Sequence, residues 1–264
     1  MALTYGNGPF GPRSNGEFNF GTDVLQDHTL YLEDSPKRVR AMLGGETVVD
    51  SRHVKMLHET GHLPVYYFPI EDIRRDLLEQ GDHSTHCPFK GDASYFTVRA
   101  GDRVAENAIW YYPEPLDSFA SLKGYAAFYW GMMDRWMEED VVVIGHPHDP
   151  YHRVDVLESS RRVRVALNGE ELAASDRPKI LFETGLQPRY YLPVEDVHTD
   201  LLLSSDTETI CPYKGVASYY STRGGTSDVA WFYPEPLPES GKIEDHICFY
   251  SEKTEMTVDG EEAS

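Results

Sequence analysis

Several things are scarce in this chain, and each scarcity closes a class of explanation. Only three cysteines occur in 264 residues, too few for a fold built on disulfides. Basic residues number 24 against 44 acidic ones, giving a net charge of −20. Phosphate backbones are bound by concentrated Lys and Arg, so nucleic acid is excluded as a partner. The acidity reads first as a means of solubility; its other reading is attraction of a cationic ligand. No apolar run reaches the roughly 18 residues that a membrane helix needs, so no membrane partner is expected. The segment Met1–Gly21 is rich in Gly, Asn and Pro and lacks the apolar core of a signal peptide, which makes the cytoplasm the expected location. There is no Ser/His/Asp elbow, P-loop or dinucleotide fingerprint. The Gly-rich stretch Gly6–Gly16 precedes any strand and lacks a phosphate-cradling context. Helical patterning is rare, and Met132–Glu139 is its best candidate.

What the chain does have is a second copy of itself. Residues 35–101 overlie 159–225 at a constant offset of 124 without a gap. His86-Cys87-Pro88-Phe89-Lys90-Gly91-Asp92-Ala93-Ser94-Tyr95 returns as Ile210-Cys211-Pro212-Tyr213-Lys214-Gly215-Val216-Ala217-Ser218-Tyr219. This is a tandem duplication. Beyond Asp102 the offset becomes 121, placing a three-residue indel there: Ala108–Tyr112 matches 229–233, and Gly124–Trp130 matches the run from Asp245. The reading is an N-terminal arm over 1–26 that could pack through Phe10, Phe18 and Phe20, a first repeat over 27–145, a short linker over 146–150 stiffened by two prolines, and a second repeat over 151–264. Cys87 and Cys211 are equivalent, whereas Cys248 faces Ala127. The first repeat therefore holds one cysteine and no internal disulfide, a Cys211–Cys248 bridge would be confined to the second, and reduced thiols fit the cytosol better.

Each repeat reads as strands. Arg38–Leu43, Gly44-Gly45 and Glu46–Val49 form a hairpin signal, with Asn168-Gly169 at the matching turn. Val65–Phe68 and Arg189–Leu192 are aromatic strands that end at a proline. Short strands with Gly/Pro turns predict a mainly β fold, two copies of a compact coiled-sheet or small-barrel domain.

The ordered motifs Arg-Val-Arg, Glu-Thr-Gly, Tyr-Tyr-x-Pro-x-Glu-Asp, Asp-Leu-Leu, Thr-x-Cys-Pro-[Phe/Tyr]-Lys-Gly-x-Ala-Ser-Tyr, Trp-x-Tyr-Pro and Phe-Tyr run through both copies. In these the chain resembles the domain of unknown function 427 family, in a tandem form. The resemblance implies a compact, mostly β domain of about a hundred residues. It also brings a nucleotidyltransferase label, although the Gly-Ser loop and paired metal-binding aspartates of that chemistry are absent. Phe89 in place of Tyr213, and Asp92 at a small-residue position, depart from the pattern.

Three constellations could carry chemistry. The first is the Cys-Pro-x-Lys-Gly loop, with Cys87, Lys90 and their partners Cys211 and Lys214. A thiolate beside an ammonium becomes nucleophilic, and a desolvated lysine can form a Schiff base or clamp an anion. The bland alternatives are a small buried cysteine and a lysine paired to Glu59 or Asp76. The second is the carboxylate set Glu59/Glu183 and Asp76/Asp200, a base if one faces an apolar interior, or else a structural ion pair. Glu71-Asp72 and Glu195-Asp196 read as turn caps. The third is the ring set Tyr67, Tyr95, Trp110 and Tyr112, returning as Tyr191, Tyr219, Trp231 and Tyr233, which would line a cleft or fill a core. Strand alternation allows only one member of each Tyr-Tyr pair, Tyr66/Tyr67 or Tyr190/Tyr191, onto any one face. His83, His86 and Cys87, with His53, His58 and His62, resemble a partial zinc set. The second copy replaces them with Thr207, Ile210, Arg177, Phe182 and Leu186, so no metal is assigned. His146, His148 and His152 read as a solvated loop.

These features predict a small-molecule-binding protein, with a Lys/carboxylate/aromatic pocket in one or both repeats serving a cofactor-independent enzyme. The competing readings are a non-catalytic scaffold and nucleotide transfer.

Overall fold

The computed structural model describes residues 3, 4, 10, 11 and 28–263. Most of the expected arm, including Phe18 and Phe20, lies outside the described residues. The chain packs as two compact units, Leu3–Asp149 and Pro150–Ser264.

In the first unit the strands are β1 (Leu30–Asp34), β2 (Val39–Leu43), β3 (Glu46–Ser51), β4 (Lys55–Glu59), β5 (Val65–Pro69), β6 (Leu78–Cys87), β7 (Gly91–Ala100), β8 (Arg103–Tyr111), β9 (Tyr125–Phe128), β10 (Arg135–Glu138) and β11 (Val141–Val143). They form a seven-stranded sheet in the order β1-β4-β5-β9-β8-β7-β6 and a four-stranded sheet in the order β11-β10-β2-β3. The second unit repeats the plan. Its large sheet takes β12 (Val154–Glu158), β15 (Lys179–Glu183), β16 (Arg189–Pro193), β20 (His246–Phe249), β19 (Ala230–Phe232), β18 (Gly215–Thr222) and β17 (Leu202–Cys211), in that order. Its small sheet takes β14 (Glu170–Ser175), β13 (Val163–Leu167), β21 (Glu255–Val258) and β22 (Glu261–Glu262). The expected mainly β tandem architecture is therefore present. Both large sheets stay open rather than closing into barrels.

Alternation along the strands splits each large sheet into two apolar faces. Tyr66 and Phe68 pack with Val39, Ala41, Val49, Ile109, Phe128 and Trp136 in a core between the two sheets of the first unit. Tyr67 points the other way, into a separate cluster with Leu57, Tyr95, Tyr112, Leu122 and Ala127. Tyr190 and Tyr191 divide in the same manner. The one-per-face rule for the Tyr-Tyr pairs holds in both units.

The segment Met132–Glu139 is not a helix. A single 3-10 turn, Trp130–Met132, leads into β10, where Trp136 and Glu138 are buried while Arg135 is exposed and Met137 only partly covered. Burying Trp136 against Phe68 and Phe128 demands a period of two, and packing overrides the helical preference of Met and Glu. The histidines near the expected linker are not a solvated loop either. The His148 N–H donates to Glu138 Oε1 at 3.3 Å, and the side chain of His152 is 1% exposed.

The turn between β6 and β7 places the lysine. Lys90 N–H donates to Cys87 O at 3.3 Å, and Leu116 N–H donates to Lys90 O at 3.1 Å. Gly91 follows at φ +104, and Gly215, its counterpart, at φ +107. A Cβ on Gly215 would lie 3.0 Å from Glu235 O, whereas nothing lies within 4 Å of a Cβ on Gly225, at φ +95. Both positions carry the backbone strain that L side chains meet at such φ values, roughly 1–3 kcal/mol, but only Gly215 adds a clash with backbone. Gly215→Ala should therefore lower stability in denaturant by clearly more than Gly225→Ala. Equal losses would contradict the close approach of the Glu235–Leu237 segment.

Candidate functional site

The second apolar face of the large sheet carries the site. Cross-strand register lines up Tyr67 with Ala127, Ala127 with Trp110, and Trp110 with Tyr95. The second unit aligns Tyr191, Cys248, Trp231 and Tyr219 in the same way. A small residue at the centre of each row leaves room for the flanking rings to close over it. Trp110 Nε1 donates to Tyr67 Oη at 3.2 Å, and Trp231 Nε1 donates to Tyr191 Oη at 3.1 Å. Tyr95 is anchored to Thr85 at 2.7 Å and Tyr219 to Thr209 at 2.8 Å, hydroxyl to hydroxyl. Burial pushes the phenols of Tyr67, Tyr112, Tyr191 and Tyr233 up, so all four remain protonated.

At the base of each row sits an ion pair. Leu57 and Glu59 share a face of β4, which brings Glu59 to the end of the aromatic row. Lys90, 7% exposed, donates to Glu59 Oε2, and His28 Nε2 lies 2.9 Å from Oε1. A carboxylate can only accept, so Nε2 carries the proton. The second unit reproduces the cluster, with Lys214 (8% exposed) on Glu183 Oε2 and His152 at 3.0 Å from Oε1. Each histidine stacks on a ring of the lysine turn: His28 on Phe89 at 3.9 Å, His152 on Tyr213 at 4.0 Å. Burial alone would raise Glu59, but Lys90 and His28 outweigh it and hold the carboxyl below its usual range. In Glu183 the same opposition ends at about 2.

In the first unit these groups enclose a cavity of about 380 Å3, walled by Tyr67, Tyr95, Trp110, Tyr112 and Tyr129, with Glu59 and Lys90 at its base and Cys87 on its side. The Tyr112 hydroxyl has no hydrogen-bond partner among the described residues. Lys90 has one, Glu59. In the second unit Cys211 packs beside the equivalent ring cluster. A larger groove of about 850 Å3 lies elsewhere in that unit, lined by Glu158, Asp176, Arg177 and Glu195. There Arg177 is bound to Glu195 and Asp196.

Of the residues singled out in the sequence, Lys90, Glu59, Cys87, Tyr67, Tyr95, Trp110 and Tyr112 come together around this cavity. Lys214, Glu183, Cys211, Tyr191, Tyr219, Trp231 and Tyr233 take equivalent places. Asp76 and Asp200 do not. Asp76 is 62% exposed and paired with Arg74 at 2.6 Å; Asp200 is exposed and its backbone oxygen accepts from Arg223. Both lie in the short 3-10 turns before β6 and β17. The partial zinc set is dispersed: His86 pairs with Asp92, His58 with Glu33, and His83 packs on Tyr95. His28 escaped notice, and the solvated-loop reading of His152 missed it as a partner of Glu183. Extending the repeat overlay upstream of residue 35 at the same offset superimposes them.

Fold and site together define a tandem β-sheet protein whose units each carry an aromatic cluster floored by a Lys–Glu–His set, with a cavity beside it in the first unit. Residues 31–139 and 155–260 both match the family described as Domain of unknown function (DUF427), and the chain belongs to that family. No curated protein matches it. Among the described residues, no helix is long and apolar enough to cross a membrane.

The depressed Glu183 carboxyl sets a pH dependence. A carboxyl lowered from 4.5 to about 2 on folding contributes stability that is complete above pH 4.5 and is lost as pH falls toward 2. The contribution is on the order of 3 kcal/mol. Glu183→Gln should flatten the acid limb of the second unit's unfolding profile between those two pH values. An unchanged limb would show that the pair does not form.

Proposed function

We propose that the hollow of the first unit binds a small organic molecule presenting a carboxylate or carbonyl oxygen to Lys90, with the aromatic wall covering its apolar part. Lys90 carries this reading: a buried ammonium with one described partner, set against a cavity of about 380 Å3. An ammonium has three N–H donors, and Glu59 uses one. A ligand oxygen would take another, and such charge-assisted bonds gain strength in a water-poor site. We assign Glu59 the work of holding Lys90 charged and oriented. A carboxylate already bound by two donors and kept below its usual range is a poor base. With a carbonyl substrate, Lys90 would donate to the oxygen as negative charge develops there, without a cofactor, and the Tyr112 hydroxyl offers a second donor on the cavity wall.

Benzoate tests this, because it joins a flat ring to a carboxylate. Its titration into the protein should perturb Trp110 fluorescence and saturate. Lys90→Met should weaken binding by about tenfold or more, the scale of one hydrogen bond to a charged group, while the thermal transition persists. Full benzoate affinity in a folded Lys90→Met variant, or no binding by the unaltered chain, would leave the ring set as core and the protein as a scaffold.

A further inference from the structure

We infer that the rim of the first hollow is a subsite for an organic cation, and that the second unit fills the same subsite with its own arginine. The inference deepens the ligand reading above and rests on it.

The two units build the rim from the same rings. Trp110 and Tyr129 stand 4.7 Å apart at 45°, Trp231 and Tyr250 at 4.4 Å and 47°. In the second unit the guanidinium of Arg189 lies over both rings, 5.5 Å from Trp231 and 5.8 Å from Tyr250. Glu252 fixes it from outside through two bonds of 2.8 and 3.0 Å. Lys253 adds a second cation, 4.9 Å over Tyr250. In the first unit Val65 replaces Arg189, Gly131 replaces Glu252 and Met132 replaces Lys253. Val65 lines the cavity, and no described cation lies over Trp110 or Tyr129.

The ring pair therefore holds its tilt whether or not a cation sits on it, which is preorganisation. Such a pair attracts an ammonium or guanidinium through the negative faces of the rings. The net charge of −20 raises the local concentration of cations further. A cation cannot approach the base, where Lys90 stands, so a ligand using both ends is dipolar: a cationic group at the Trp110/Tyr129 rim and an oxygen at Lys90. The second unit, carrying its own cation, is closed to the same ligand.

Choline and its uncharged isostere 3,3-dimethylbutan-1-ol separate charge from shape. Calorimetric titration of the whole chain should show one choline equivalent, bound about tenfold more tightly than the isostere, within the usual range of cation–π gains. Val65→Arg should abolish it. Arg189→Val combined with Lys253→Met, which clears both cations from the second rim, should add a second equivalent, and this gain of function guards against a Val65→Arg chain that fails to fold. Equal affinity for choline and the isostere, or a single equivalent in the Arg189→Val/Lys253→Met chain, would overturn the inference. Benzoate separates it from the reading it rests on. Benzoate binding without choline binding removes the rim alone, choline without benzoate removes the role of Lys90, and neither removes both.

Discussion

A buried lysine is the constraint around which each unit is arranged. Taking an ammonium out of water costs several kcal/mol unless an opposite charge receives it. Glu59 and Glu183 receive it here, each held a second time by a histidine. The rest of the site follows from making that meeting possible. The turn after β6 must curl back, which needs glycine at φ +104 and passes its backbone close to Glu114 O. The end of β4 must face the same side as the middle of β5, so Glu59 and Tyr67 share a face while Tyr66 turns into the sandwich core. The rings then cover the pair, leaving the Lys90 and Glu59 side chains 8% and 14% exposed, and a charge pair with little access to water is strong.

The duplication works as an internal control. Lysine, glutamate, histidine and five ring positions persist at matching places in both units, and their hydrogen bonds agree to about a tenth of an ångström. What differs is confined to the filling and the rim. Cys248 takes the place of Ala127 at the centre of the row, and its thiol is pushed up by complete burial. Arg189 and Glu252 take the places of Val65 and Gly131. The units thus share one base and differ in how open the space above it is.

Much of this was legible in the sequence because it obeys local rules. Turn dipeptides and aromatic runs marked the strands, and the period of two assigned Tyr67 and Tyr66 to opposite faces. The pairing of Lys90 with Glu59 was available as one of two options. The other, Asp76, failed for a physical reason: repetition shows that an acid is kept, not which way it points. Asp76 and Asp200 belong to exposed turns. Met132–Glu139 looked helical by residue preference, and the burial of Trp136 made it a strand. His28 and His152 sit among neighbours that do not match, so nothing local drew them together; their relation shows in the matching glutamates they bind, Glu59 and Glu183.

The central claim is that Lys90 and Glu59 are locked together, out of water, on the floor of the hollow. Nitrogen-15 spectroscopy of the lysine side-chain ammonium groups reads this directly. Two slowly exchanging Nζ signals should stand apart from those of the solvated lysines, and Glu59→Gln should return one of them to rapid exchange while leaving the other in place. If every lysine ammonium exchanges rapidly in the unaltered chain, the pair is open to solvent and the account of the site fails.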